Sequence, residues 1–270
     1  MVLGSLGSAQ PPTTQPPVTT TKPPVTTTKP PVTTTNPPVT TTTEKPPAHD
    51  AMLGGDGYNV SPHFCSLGFN GVDGSGNVVN ITAGHCDQSS ENAGGPDATV
   101  AAEGISAGGP RFGAFDFPHP DGIDFSTIKI DKAVAKRFEN NFVRGLGGKP
   151  LAITGIADPV IGAPVCKSGT TSGFTCGVIW RVNQTIDNEL GTTKGLILAT
   201  NICALPGDSG GPVLTGTKAL GISTASNSQT QKECDETSGP DVADFDHPHE
   251  YVTPLKAILA ADPGLKVRTN

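Results

Sequence analysis

The sequence predicts an all-β domain over residues 51–270, in which antiparallel strands form a sandwich or barrel and one helix follows near the C-terminus. Three observations lead to this prediction. Short runs rich in Val, Ile and Thr alternate with turn signals, the chain holds 34 glycines, and only 16% of its residues are charged. The runs lie at residues 78–83, 125–130, 177–182, 195–200, 212–214 and 219–223.

The predicted helix begins close to the end of the chain. Thr253 can cap it, and Pro254 suits the first helical position, where the missing N–H costs nothing. Leu255, Ile258 and Leu259 share one face, which we expect to pack on the strands. A Pro-Gly pair directly after this stretch ends the helix.

The first 50 residues are predicted to stay outside the domain. Residues 1–10 resemble the end of a signal peptide, with small residues before a cleavage site, although a disordered terminus explains them equally well. Residues 11–50 form a linker built on the unit Pro-Pro-Val-Thr-Thr-Thr-Lys, which occurs at 16–22 and 23–29. Because proline fixes φ and β-branched residues stay extended, we expect a disordered, semi-rigid spacer. Dense threonine with proline also indicates O-glycosylation, and an unmodified tail is the alternative.

Charge, hydropathy and residue spacing argue against nucleic acid, a membrane span and a metal, respectively. The net charge is −7 and no basic patch could hold phosphates, so we expect no nucleic acid. No run of ~18 apolar residues exists, so we expect no membrane span. Residues 235–250 look like an insertion whose Asp244, Asp246, His247 and His249 could bind a metal. Their spacing fits no zinc motif, so we interpret the segment as a solvated loop at the rim of the cleft and expect no metal.

The strongest chemical signal is Gly-Asp-Ser-Gly-Gly-Pro at residues 207–212. A serine hydroxyl is a weak nucleophile, which needs a base and a place for the oxyanion. Glycines let the backbone turn sharply, so that amide N–H groups can point into one cavity. We therefore interpret Ser209 as a nucleophile, with the amides of Gly207 and Ser209 as oxyanion donors. A glycine-rich turn with an incidental serine is the alternative.

Two further residues would complete a catalytic triad. His85 ends the string Ile-Thr-Ala-Gly-His, and histidine suits general-base work because its pKa is near neutrality. Asp124 enters an apolar run, where a carboxylate is costly to bury unless a group such as a histidine N–H binds it. Asp116 and Asp121 are rivals, but both stand among Pro and Gly in a predicted loop.

Together these strings resemble the chymotrypsin-like serine proteases, above all their bacterial streptogrisin and α-lytic protease branch. The order His, Asp, Ser along the chain is the order of that fold. The resemblance covers roughly residues 52–260, and its motifs lie at 53–55, 65–69, 82–86, 124, 166–176 and 203–212. It implies two antiparallel six-stranded β-barrels with the triad in the cleft between them.

The function implied by this resemblance is that of a secreted serine endopeptidase. It would cleave polypeptides through an acyl-enzyme, as a monomer without a metal or organic cofactor, and its rate would fall below about pH 6–7, where histidine becomes charged. An esterase shares the chemistry but would place serine before its partners. A weak or inactive binding module, attached to the cell wall by the Pro/Thr-rich stalk, is the alternative outside enzymes.

The six cysteines are predicted to form disulfides, which places the protein in an oxidising compartment outside the cell. Their count is even and no Cys-x-x-Cys pair occurs, so a metal site is disfavoured. Spacing alone leaves the pairing open. The resemblance implies the pairs Cys65–Cys86, Cys166–Cys176 and Cys203–Cys234.

The resemblance also assigns residues that support the site. Lys167 stands where the bacterial branch has an arginine, and our hypothesis is that it holds Asp208 and so shapes the oxyanion hole; a solvated lysine is the alternative. Residues 224–226 are Thr-Ala-Ser, which are larger than the Ser-Gly-Gly that relatives often have there. They should narrow the mouth of the pocket and favour small or medium apolar side chains at the cleavage site. Ser226 could instead help bind an acidic side chain. The pocket is assigned to Asn201, Ala204, Thr224, Ala225 and Ser226.

Overall fold

The computed structural model describes residues 45–117, 120–188, 191–236 and 247–270. The predictions for residues 1–10, for most of the linker at 11–50, and for Asp244 and Asp246 lie outside this part of the chain.

Within the described residues the chain is mostly β-structure. The strands of the first half are β1 (Gly57–Val60), β2 (His63–Ser66), β3 (Phe69–Val72), β4 (Val78–Thr82), β5 (Val100–Glu103), β6 (Arg111–Phe115), β7 (Ser126–Ile130), β8 (Phe142–Arg144) and β9 (Pro150–Ala152). Those of the second half are β10 (Gly155–Ile156), β11 (Pro164–Gly169), β12 (Gly173–Asn188), β13 (Gly191–Thr200), β14 (Pro212–Thr215), β15 (Lys218–Ser226), β16 (His249–Pro254) and β17 (Lys266–Val267). The helices are α1 (Gln231–Glu236) and α2 (Leu255–Ala261).

The two large sheets differ in how they are closed. The second has the order β10-β15-β14-β11-β12-β13-β16, and an additional β15–β16 pairing closes six of its strands into a barrel. The first has the order β17-β3-β4-β7-β6-β5-β1-β2, and its pairs are all antiparallel. The first sheet therefore has eight strands rather than the predicted six, because the short strands β17 and β2 add one strand to each edge.

The predicted all-β class and the C-terminal helix are confirmed, with one correction at the start of the helix. Pro254 is its N-cap, with φ −64° and ψ 134°, and no side chain caps the helix. Thr253 lies in β16 instead, where its hydroxyl is 2.7 Å from that of Thr224. Leu255 and Ile258 are buried as predicted.

The apolar core is divided into clusters that follow the sheets. One cluster fills the first sheet around Tyr58 and Phe112, and another fills the second around Ile179 and Val213. A third joins the two sheets: it packs β3, β4 and Phe125, the residue before β7, against β14, β15 and α2. This shared cluster holds two turns in a constant relative position. The turn after β4 contains His85, and the turn before β14 contains Ser209. Its fully or almost fully buried members are Phe69, Val79, Ile81, Phe125, Val143, Ile153, Leu214, Ala219, Ile222, Leu255, Ile258 and Leu265.

Candidate active site

His85 lies in a single 3₁₀ turn directly after β4. The turn spans Gly84–Cys86, and its last residue forms a disulfide with Cys65 of β2. The apolar strand before it and the covalent bond after it leave the turn little freedom. The His85 side chain is 19% exposed, so its outer edge can reach solvent.

Asp124 binds His85 twice. Its Oδ1 accepts a hydrogen bond from the His85 backbone N–H at 2.9 Å, and its Oδ2 is 2.8 Å from Nδ1 of the ring. Asp124 is 3% exposed. A buried carboxylate at Nδ1 favours the tautomer that carries its proton there, which leaves Nε2 to act as an acceptor.

The pKa of His85 follows from this contact. Burial lowers the pKa of the imidazole, but the charge of Asp124 and the hydrogen bond to it outweigh burial, so that the pKa lies above its ordinary value of 6.5. The imidazolium is thus stabilised, as a group that accepts a proton during a reaction requires.

The Ser209 turn lies against the end of β4. Gly210 has φ 81°, and a Cβ built on it would be 2.1 Å from Thr82 Oγ1 and 2.9 Å from the Ala83 nitrogen. Only glycine allows the two turns to approach this closely. Ser209 O accepts a hydrogen bond from Ser66 N at 2.8 Å. Among the described residues no hydrogen bond joins Ser209 Oγ to His85, a contact that is often long before substrate binds.

Two backbone amides of this turn face no acceptor among the described residues. Within the described part of the chain, the N–H groups of Gly207 and Ser209 donate no hydrogen bond. Gly207 has φ 97°, and a Cβ there would be 2.2 Å from Phe64 Cε2, so any other residue would be strained and would have to displace the Phe64 ring. The turn can therefore present both amides to a ligand.

Asp208 between them faces the interior. Lys167 Nζ donates to its Oδ2 at 2.7 Å, and the two side chains are 0% and 1% exposed. The backbone N–H groups of Thr171, Ser172 and Leu205 donate to the same carboxylate at 2.9–3.0 Å. Burial raises the pKa of Asp208, but the charge of Lys167 and these hydrogen bonds outweigh it and lower the pKa. Lys167 also contacts the Ser172 hydroxyl.

A cavity of about 200 Å³ opens beside Ser209. Of the residues that the sequence assigned to the pocket, Ala204, Thr224, Ala225 and Ser226 line it, whereas Asn201 does not. Asn201 follows β13 with φ 57°. Ser226 Oγ donates to Ala204 O at 2.7 Å, so this hydroxyl bridges the two walls. The other lining residues are Leu205, Pro206, Ser209, Ser223 and Gln229.

The six cysteines form three disulfides: Cys65–Cys86, Cys166–Cys176 and Cys203–Cys234. The first holds the His85 turn. The third links the pocket wall that begins at Ala204 to α1.

One residue of this region was missed by sequence reasoning. Glu250 belongs to the stretch 235–250, which the sequence presents as a solvated loop, but it lies on β16 and is 0% exposed. His249 is also buried, so the loop prediction is wrong for both residues. The run Tyr-Val-Thr that follows them was the available signal for a strand. Among the described residues, no group of three His, Cys, Asp or Glu side chains could hold a metal ion.

Comparisons with known proteins agree with this geometry. The trypsin family model matches residues 61–243. The chain is 32% identical to serine protease 2 of Streptomyces fradiae over 174 residues, which are 64% of this chain and 93% of that protein. It is 32% identical to streptogrisin-C of Streptomyces griseus over 182 residues, which are 67% of this chain but only 36% of that protein.

A solved structure of a bacterial protease has a similar fold. The structure of Thermobifida fusca protease A superimposes with a TM-score of 0.63 and 29% sequence identity, and the match covers 82% of this chain and 100% of that one.

Proposed function

The chain belongs to the trypsin family, and we propose that it is a serine endopeptidase in which Ser209 is the nucleophile, His85 the general base and Asp124 the residue that orients His85. The observation that carries this proposal is the double hydrogen bond from His85 to a buried Asp124, beside the turn that holds Ser209.

In the proposed reaction, Ser209 Oγ attacks the carbonyl carbon of the scissile bond while His85 Nε2 takes its proton. The tetrahedral intermediate collapses, the C–N bond breaks, and His85 returns the proton to the leaving amine. Water then attacks the acyl-enzyme with the same base, and Ser209 is regenerated with its proton. Asp124 stabilises the imidazolium in both halves, in agreement with the raised pKa of His85.

The amides of Gly207 and Ser209 are the proposed oxyanion donors. Neither donates a hydrogen bond to any of the described residues, and both belong to one glycine-rich turn. Fixed donors need no reorganisation when the negative charge develops, and one donor contributes about 3–4 kcal/mol in a related reaction.

Lys167 and Asp208 are the proposed support of these donors. Asp208 lies between the two amides in the sequence, and five hydrogen bonds hold its carboxylate. The ion pair therefore determines the path of the backbone on both sides of Asp208.

We further propose that the protein acts outside the cell on polypeptides. Three disulfides support an oxidising compartment. Neither α1 nor α2, the α-helices of the described residues, could span a lipid bilayer. Attachment to the cell wall through the Pro/Thr-rich linker and a monomeric state remain parts of the same proposal.

Replacement of the nucleophile tests the proposal. Ser209→Ala should lower kcat for casein or a peptide substrate by roughly 10⁶-fold, because the triad acts as a unit. It should also abolish labelling by a fluorophosphonate. Ser75→Ala, at an exposed turn serine, is the matched control and should keep both. If the folded protein is not labelled at Ser209, or if Ser209→Ala hydrolyses casein normally, the binding module on a Pro/Thr stalk becomes the better interpretation.

A further inference from the structure

Resting on the proposed endopeptidase function, we propose that Glu250 sets the substrate class: its carboxylate binds the ammonium or guanidinium group of a lysine or arginine side chain on the acyl side of the scissile bond. This differs from the small or medium apolar side chains that residues 224–226 favour from sequence.

The strand register places Glu250 behind the pocket. On β16 it pairs with Ser226 of β15 on one side and with Ala199 of β13 on the other. Residues 223–226 of β15 line the cavity beside Ser209. Glu250 is fully buried one strand away from this wall and is not itself a lining residue. A long basic side chain that enters past Ser209 reaches further than an apolar one and is the kind of group that can meet it.

The described residues leave the hydrogen-bonding capacity of the Glu250 carboxylate largely unused. Glu250 is fully buried, and neither of its oxygens has a hydrogen-bond partner of acceptable geometry among the described residues. Asn201 Oδ1, on the segment that leads into the opposite wall, is also buried without a partner. Buried polar groups without partners are rare and costly, and these are all acceptors. A ligand that brings only donors satisfies them.

The negative charge of the Glu250 carboxylate would also be stabilised by a bound cation. Of the two charged groups that act electrostatically on Glu250, Lys167 is already bound to Asp208 at 2.7 Å. That pair is neutral as a unit, so the charge of Glu250 is left without a compensating one. Burial accordingly raises its pKa to about 7, with smaller lowering contributions from Lys167 and the Ser223 hydroxyl and a smaller raising contribution from Asp208.

The walls of the cavity offer little to other side chains. Ser226 Oγ donates to Ala204 O, and the Thr224 hydroxyl is bonded to that of Thr253. These two hydroxyls are therefore engaged within the fold, and an acidic side chain would also meet the negative charge of Glu250. An apolar side chain would leave Glu250 and Asn201 unsatisfied. The volume of about 200 Å³ equals that of several water molecules at ~30 Å³ each, enough for an extended aliphatic chain.

The experiment compares fluorogenic peptides that differ only in the residue before the scissile bond: Lys, Arg, Leu or Glu. The wild-type protein should cleave the Lys and Arg peptides with a kcat/KM at least ~10-fold above the Leu peptide and should cleave the Glu peptide least. Glu250→Gln, which keeps the shape and removes the charge, should lower the Lys-to-Leu ratio by ~10-fold or more. Glu91→Gln, at an exposed glutamate, is the matched control and should leave the ratio unchanged.

Labelling of Ser209 by a fluorophosphonate separates this inference from the proposed function. A labelled wild-type enzyme that prefers Leu or Glu, or a Glu250→Gln variant with an unchanged Lys-to-Leu ratio, overturns the role of Glu250 and leaves the endopeptidase proposal intact. A wild-type protein that is not labelled overturns both. Should the variant fail to fold, competition on the wild-type enzyme decides: benzamidine must inhibit at least ~10-fold more strongly than the uncharged benzamide, and equal inhibition overturns the inference.

Discussion

Two buried carboxylates lie behind the proposed catalytic centre, and the fold treats them in opposite ways. Asp208, behind the Ser209 turn, receives an ammonium group, a hydroxyl and three backbone N–H groups. Glu250, behind the pocket, receives no hydrogen bond of acceptable geometry from the described residues. Burial raises the pKa of both, but only Asp208 has partners strong enough to reverse the shift.

This difference separates a group that builds the site from a group that awaits a ligand. A carboxylate whose lone pairs are all occupied by the fold holds the backbone around it in one conformation. A buried carboxylate without partners destabilises the folded state and is stabilised only by protonation or by a bound cation. Four experiments test this difference: two measure stability, one measures specificity, and one uses a conservative exchange.

The largest effect is expected from Asp208→Asn. This change leaves the Lys167 ammonium buried without a counter-charge, which should lower the free energy of unfolding by about 3–5 kcal/mol at pH 7. Because the pKa of Asp208 in the folded state lies below the unfolded value of 3.8, its stabilisation is present above that pH and is lost as the pH falls through the folded pKa. The deficit should therefore shrink in acid. Urea unfolding at pH 7 and pH 3 measures it.

Asp97→Asn, at an exposed aspartate, is the control for this variant and should change stability little. If Asp208→Asn is as stable as the control, the ion pair does not hold the turn and its contrast with Glu250 disappears.

The next largest effect is expected from Glu250→Gln, and it has the opposite sign. The pKa of Glu250 is about 7 in the folded state and 4.5 as the ordinary value. The folded state therefore keeps the proton that the unfolded state releases, so stability is lost as the pH rises from 4.5 to 7. The loss amounts to about 3 kcal/mol for a shift of this size. Without this carboxyl group, the variant should match the wild type near pH 4.5 and exceed it above pH 7.

Urea midpoints at pH 5 and pH 8 for both proteins test this expectation. His85 and Asp208 titrate in both, so the difference between the two proteins isolates Glu250. A difference that does not change with pH would mean that Glu250 already has a partner in the fold.

The third test measures the preference for basic side chains. This preference should depend on Glu250 and not on Asp208. The ratio of kcat/KM for the Lys peptide to that for the Leu peptide should be lower by ~10-fold or more in Glu250→Gln than in the wild type. The Lys167→Arg variant should keep the wild-type ratio, because it retains the charge that faces Asp208. A shift of the ratio in Lys167→Arg as large as that in Glu250→Gln would show that the two carboxylates act as one electrostatic unit.

The sequence predicts the first of these carboxylates and misses the second for physical reasons. Asp208 belongs to a local string, 207–212, that resembles a family motif, and that resemblance implied its pairing with Lys167. His85 and Asp124 could also be found from local sequence, since each sits at the end or start of an apolar run. Glu250 is buried by the register of β16 between β13 and β15, a tertiary property that its own segment does not encode. The edge strand β17 was missed because two residues show no periodicity.

The smallest effect is expected from Lys167→Arg, which tests whether the charge or the shape of the cation holds Asp208. Arginine keeps the charge and offers a planar fork, but it is larger, and Lys167 fills a site with 0% exposure against Ser172. Crowding should cost about 1 kcal/mol of unfolding free energy and change kcat/KM less than about 5-fold. Lys167→Met, of similar length, leaves Asp208 uncompensated and should cost about 3–5 kcal/mol. Equal losses in the two variants would show that the fit of the lysine chain, rather than its charge, keeps the Ser209 turn in place.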